Sequence, residues 1–119
     1  MIKSYKDLEV YCLSFELAME IFELTRNFPK EEVYSLTSQI VRSSRSVSAN
    51  ITEGWAKRRC ENEFKRHLIY ALGSTAETER WIKISLECGY ISKEKSKSLT
   101  EKVNVVGKML TKLDQNWRT

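Results

Sequence analysis

Toward the end of the chain, apolar residues recur at Leu99, Val103, Val106, Leu110, Leu113 and Trp117, in alternating steps of four and three. That spacing lines them up on one side of a helix, as in the seam of a helical bundle. Breakers are scarce, with Pro29 the only proline and Gly54, Gly73, Gly89 and Gly107 the only glycines, so long helices are the economical reading. The pattern predicts a first helix over about Tyr5–Asn27, ended ahead of Phe28-Pro29 because the residue before a proline avoids the helical region. A second helix is predicted to open between Glu31 and Ser35 and to end near Arg59. The third should run from Cys60 or Glu61 to Gly89 as its C-cap, and the fourth from Ser92 as N-cap to beyond Leu113. Such helices joined by short loops predict an all-α, antiparallel up-down four-helix bundle, a single domain over residues 1–119.

The first helix is apolar on two sides. At about 100° per residue, Leu8, Tyr11, Cys12, Phe15, Ala18, Met19 and Phe22 fall together, opposite Val10, Leu13, Leu17, Ile21 and Leu24. Glu9, Glu16, Glu20 and Glu23 form an acidic strip between them. One stripe suffices to face a four-helix core. The row Val10, Leu13, Leu17, Ile21 and Leu24 is therefore the expected oligomer interface.

On the second helix the inward row reads Leu36, Ile40, Ser43, Val47, Asn50, Ile51 and Gly54. Small and polar members permit close helix approach, but buried Asn50 then needs hydrogen-bond partners. Downstream stand Lys57, Arg58 and Arg59. At a helix end they complement the dipole. With Arg42, Arg45, Lys65 and Arg66 they could equally form a basic surface that contacts nucleic-acid phosphates by charge and shape.

Composition narrows the classes. The 119 residues are 41% hydrophobic and 30% charged, too apolar for disorder and without the roughly 18-residue apolar window of a membrane span. The N-terminal stretch lacks the apolar region of a secretory signal. Cys12, Cys60 and Cys88 have no CxxC spacing and are odd in number, so they are expected to be reduced small hydrophobes in a cytoplasmic protein. His67 is the only histidine, which argues against a metal site and is expected at a surface or boundary. Charge is bipolar: residues 1–35 carry four basic and seven acidic side chains, whereas residues 36–70 carry seven and three. Glu77 and Glu79 lack the Glu-x-x-His partner of di-metal bundles. No enzyme, metal or cofactor is expected. Trp55, Trp81 and Trp117, spaced singly, are expected to be core or interface anchors.

Several runs are similar to a known family: Tyr5-Lys6-Asp7-Leu8-Glu9-Val10, Phe28-Pro29-Lys30-Glu31-Glu32-Val33-Tyr34-Ser35-Leu36, Gln39-Ile40-Val41-Arg42-Ser43-Ser44-Arg45-Ser46-Val47 and Asn50-Ile51-Thr52-Glu53-Gly54. Glu63-Phe64, Ala71-Leu72-Gly73-Ser74-Thr75-Ala76-Glu77 and Cys88-Gly89-Tyr90-Ile91 continue the likeness. The chain resembles the bacterial 23S rRNA intervening-sequence proteins. The resemblance implies an up-down bundle assembled as a ring-like homopentamer. It is also similar to the accessory proteins of diversity-generating retroelements, whose basic pentamers bind nucleic acid and a reverse transcriptase. No catalytic residues come with it. For Gln39, Arg42, Ser46, Asn50, Glu53, Gly54, Ser74 and Glu77 it implies packing and inter-helix hydrogen bonding. Relatives tend to have Ser where Cys60 stands, three residues before Glu63, which would make a capping box.

Two functions follow as expectations. One is a non-enzymatic homo-oligomeric scaffold that binds RNA or DNA through its basic surface. The other is a self-assembling structural or protein-adaptor module in which that surface meets the acidic strip of a neighbouring copy.

Overall fold

In the computed structural model, which describes residues 2–117, the chain forms α1 (Glu9–Thr25), α2 (Leu36–Ala56), α3 (Glu61–Glu87) and α4 (Lys93–Asn116), with short 3-10 turns at Tyr5–Asp7 and Lys30–Glu32. Met1, Arg118 and Thr119, at the ends of the predicted domain, lie outside the described residues.

Local hydrogen bonds set the helix ends and explain where they differ from the sequence reading. The predicted first helix is broken at Leu8. Ser4 caps a separate turn, accepting from the Lys6 N–H while Asp7 accepts from the backbone of Ser4. Backbone hydrogen bonds from Lys3 and Ser4 hold the Asp7 carboxyl below its ordinary pKa. Leu8 then adopts an extended conformation (φ −78°, ψ 121°), which buries its side chain. α1 ends at Thr25 in tightened i→i−3 turns through Phe28, after which Pro29 stops it.

α2 opens only at Leu36 because the Glu32 carboxylate acts as its cap. Glu32 Oε1 accepts from Ser35 Oγ at 2.5 Å and from the Leu36 N–H at 3.3 Å. α2 stops at Ala56, short of Arg59, where Lys57, Arg58 and Cys60 turn back on carbonyls three residues earlier. The end of α3 is a Schellman motif: Gly89 has φ +78°, its N–H reaches Leu86 O, and the Tyr90 N–H reaches Ser85 O. Ser92 caps α4 by accepting from the Lys95 N–H at 3.0 Å.

Cross-helix partners fall in number on one helix as they rise on the next. Asn50 meets His67, Ser46 meets Ser74 and Ser43 meets Thr78 between α2 and α3. Between α1 and α4, Glu20 receives Lys95 and Lys102 at 2.6 and 2.7 Å, while Leu8 and Val10 lie beside Met109 and Leu113. The α2–α3 and α1–α4 pairs therefore run antiparallel. The predicted α4 row holds, with Leu99, Val103, Val106 and Leu110 at most 2% exposed. Trp117 packs edge-on against Trp55 and Phe64 and closes one end of the core. Trp55 and Trp117 are thus anchors, as expected.

On α1 the row expected to be the interface faces the core of the chain itself. Val10, Leu17 and Ile21 are 4%, 5% and 0% exposed within the single chain, and Leu13 and Leu24 pack against the same core. That row faces inward and is not a free interface. The outward apolar surface comes from part of the other row: Phe15 and Met19 are 49% and 46% exposed, whereas Leu8 and Ala18 are buried, and Tyr11 and Phe22 are half-buried beside the exposed pair. Periodicity alone detects two apolar sides but carries no information on which one the other helices cover. The cysteines are unpaired, in keeping with the reduced reading, but they are not packed as small hydrophobes. Cys12, Cys60 and Cys88 are all exposed free thiols.

Candidate nucleic-acid interface

The α2–α3 contact is built on small residues. An added Cβ at Gly54 would stand 2.8 Å from His67 Cβ and 3.1 Å from Phe64 Cδ1, so only glycine admits α3 this closely. The same closeness lets short polar side chains bond across the seam. His67 Nδ1 lies 3.0 Å from Asn50 Oδ1, and His67 Nε2 lies 3.1 Å from Lys57 Nζ. A lysine ammonium can only donate, so Nε2 accepts and Nδ1 carries the imidazole proton. Asn50 then donates from Nδ2 to Ser46 O (2.9 Å) and Ser46 Oγ (3.1 Å). Ser74 donates to the same Ser46 Oγ at 2.9 Å. Farther along, Thr78 Oγ1 reaches Ser43 Oγ at 2.9 Å.

His67 is therefore not at the surface. It is 6% exposed and belongs to the seam. The clue was the Asn50 and Gly54 pair, which called for a partner on the facing helix, but the sequence alone did not say which residue faced them. Asn50 is half-buried and its side-chain amide is satisfied. Glu53, the other polar residue nearby, has its carboxylate 4.0 Å from His67 Nδ1 and is mostly exposed.

Above this ladder the seam opens into a polar groove of about 460 Å³ lined by Gln39, Arg42, Ser43, Ser46, Ser74 and Glu77. Glu77 Oε2 accepts from Trp81 Nε1 at 3.1 Å.

The seven cations proposed for phosphate contact fall into two groups. Arg42 and Arg45 lie midway along α2, about 22 Å and about 18 Å from Lys57 at the usual helical rise. Arg42 borders the groove, whereas the Arg45 guanidinium lies 5.2 Å from the Phe22 ring centroid, close to Arg26 at 5.1 Å from the same ring. Lys57, Arg58, Arg59, Lys65 and Arg66 gather at the α2–α3 turn. Arg58 stacks on Trp55 at 4.4 Å and donates to its carbonyl. Lys65 and Arg66 stand beside Glu61 and Glu63 at 3.9 and 3.8 Å. Arg59 is exposed.

Of the acidic strip, Glu20 is consumed within the chain. Burial opposes its ionisation, but hydrogen bonds from Lys102 and Lys95 outweigh it and hold the carboxyl below its ordinary pKa. Among the described residues, no group of three His, Cys, Asp or Glu is placed to hold a metal ion. No helix there is long and apolar enough to cross a membrane.

Comparison with known proteins agrees with this architecture. A solved structure from Bacteroides thetaiotaomicron VPI-5482, described as a protein with unknown function from the S23 ribosomal protein family, superposes with a TM-score of 0.82 at 28% identity, covering 90% of this chain and 96% of that one. No curated protein matches. A family model for the 23S rRNA-intervening sequence protein matches residues 6–112, which takes in all of α1, α2 and α3 and most of α4. With nearly the whole bundle matched, the chain belongs to the 23S rRNA-intervening sequence protein family.

Proposed function

We propose that the protein is a non-enzymatic homo-oligomeric scaffold that binds RNA, or DNA, through the cations at its α2–α3 turn. The observation that carries this reading is local charge: five cations against two carboxylates between residues 57 and 66, presented at one end of a rigid bundle. Such a surface binds by counterion release.

Self-association is supported by the outward stripe of α1. Tyr11, Phe15, Met19 and Phe22, bounded by Arg26 and Arg45, are the aromatic, methionine and arginine types that enrich protein interfaces. Five copies is the number that the family resemblance suggests. Repeating a modest cationic patch around a ring raises its avidity well above that of a single copy.

Titrating a structured RNA at two ionic strengths tests the reading. Affinity is expected to fall steeply with salt, and the double reversal Arg59→Glu with Arg66→Glu should flatten that dependence. Absence of binding at low salt would contradict it.

A further inference from the structure

Arg42 and Glu77 border the same groove but form no ion pair, and neither Arg42 nor Gln39 has a side-chain partner among the described residues. This is unusual for an arginine next to hydroxyls and a carboxylate, because five guanidinium donors are left to solvent. The floor beneath them is ordered. Ser46 Oγ already accepts from Asn50 and from Ser74, so its own hydrogen is free for an acceptor in the groove. That direction follows from the hydrogen-bond chain running from exposed Lys57 through buried His67 to half-buried Asn50. The groove is thus preorganised, with donors from Arg42, Gln39 and Ser46 on the α2 side and a carboxylate from Glu77 on the α3 side.

We propose that this groove is a base pocket for an unpaired guanine of single-stranded RNA, with Arg42 taking the acceptor edge and Glu77 the donor edge. The inference rests on the nucleic-acid reading above and adds base selection to it. A simple phosphate satisfies Arg42 but meets the charge of Glu77. Guanine satisfies both: O6 and N7 are adjacent acceptors suited to a bidentate arginine, and N1–H with the exocyclic amine offers adjacent donors to a carboxylate. Adenine places a donor amine next to N7, and the pyrimidines mix donor and acceptor on one edge. Unstacked bases of single strands are read along these edges. Glu77 keeps Oε1 for the purpose, since only Oε2 holds Trp81.

The test uses the whole protein and a short oligouridylate carrying one central guanine, against the same strand with adenine there. The guanine strand is expected to bind about tenfold more tightly, as a bidentate contact provides. Arg42→Ala and Glu77→Gln should each abolish the difference, and both residues are exposed, so unchanged melting curves can verify the fold. The amide signals of Ser46 and Ser74 should shift with guanosine monophosphate and not with inorganic phosphate. Equal binding of the two strands, or a preference that survives both variants, overturns the pocket while leaving charge-driven binding in place. Failure of either strand to bind at low salt overturns the pocket and the function it rests on.

Discussion

The Tyr90 hydroxyl donates to Glu32 Oε2 at 2.8 Å across 58 residues of sequence, tying the α3–α4 turn to the loop that opens α2. Hydrogen bonds from Ser35, Tyr90 and the Leu36 N–H hold the Glu32 carboxyl below its ordinary pKa. The same contact, with some burial, pushes Tyr90 up to about 12 from an ordinary value of 10.0. A raised tyrosine contributes stability below its unfolded pKa and loses it as pH rises through the folded one. The stability gap between wild type and Tyr90→Phe should therefore close between about pH 10 and 12. It should also narrow in acid, as Glu32 is protonated below the ordinary carboxylate range. Denaturant melts across pH check this, and a gap independent of pH would dissociate Tyr90 from Glu32.

Two glycines should respond to alanine with opposite signs. At Gly54 the new methyl would sit 2.8 Å from His67 Cβ. Overpacking of that kind costs about 1–3 kcal/mol, more than the helix propensity it gains. At Gly73 a Cβ meets nothing within 4 Å, so Gly73→Ala should stabilise by roughly 0.5–1 kcal/mol. Thermal melts of the two variants decide it, and a neutral Gly54→Ala would mean that α3 can retreat from α2.

Cys60 occupies the N-cap of α3, extended at φ −104° and ψ 106°, and makes no side-chain capping bond. A thiol accepts poorly. Cys60→Ser completes a capping box with Glu63 and should stabilise by about 1 kcal/mol, visible as a higher melting midpoint.

Much of the fold was legible because its signals are local. Ser92, Gly89 and the α4 row mark their own elements whatever surrounds them. Leu8 and Glu32 did not, because the first is decided by a turn that competes with the helix and the second by a carboxylate that caps α2 from outside it while also holding a partner 58 residues distant. The candidate site was half legible: the α2 cations and the polar row through Asn50 could be read directly. Their separation into two groups, and the meeting of Arg42 with Glu77 at one groove, depend on helix register that sequence spacing does not fix.

Glu16 and Glu20 look alike in sequence, yet only Glu20 is taken by lysines of α4. Glu20→Gln should cost on the order of 1 kcal/mol, less at high salt. Glu16→Lys should leave stability and subunit number unchanged and tighten RNA binding. If it instead dissolves the oligomer, the acidic strip is where copies meet, as the adaptor reading requires.

Molar mass in solution, measured by light scattering at micromolar concentration, tests most directly whether copies assemble on the exposed flank of α1. The protein should scatter as two or more copies of the 13.9 kDa chain, and Phe15→Glu with Met19→Glu should reduce it to one copy while the helical signal persists. A wild-type particle of one chain, or an assembly indifferent to those two substitutions, would contradict the account.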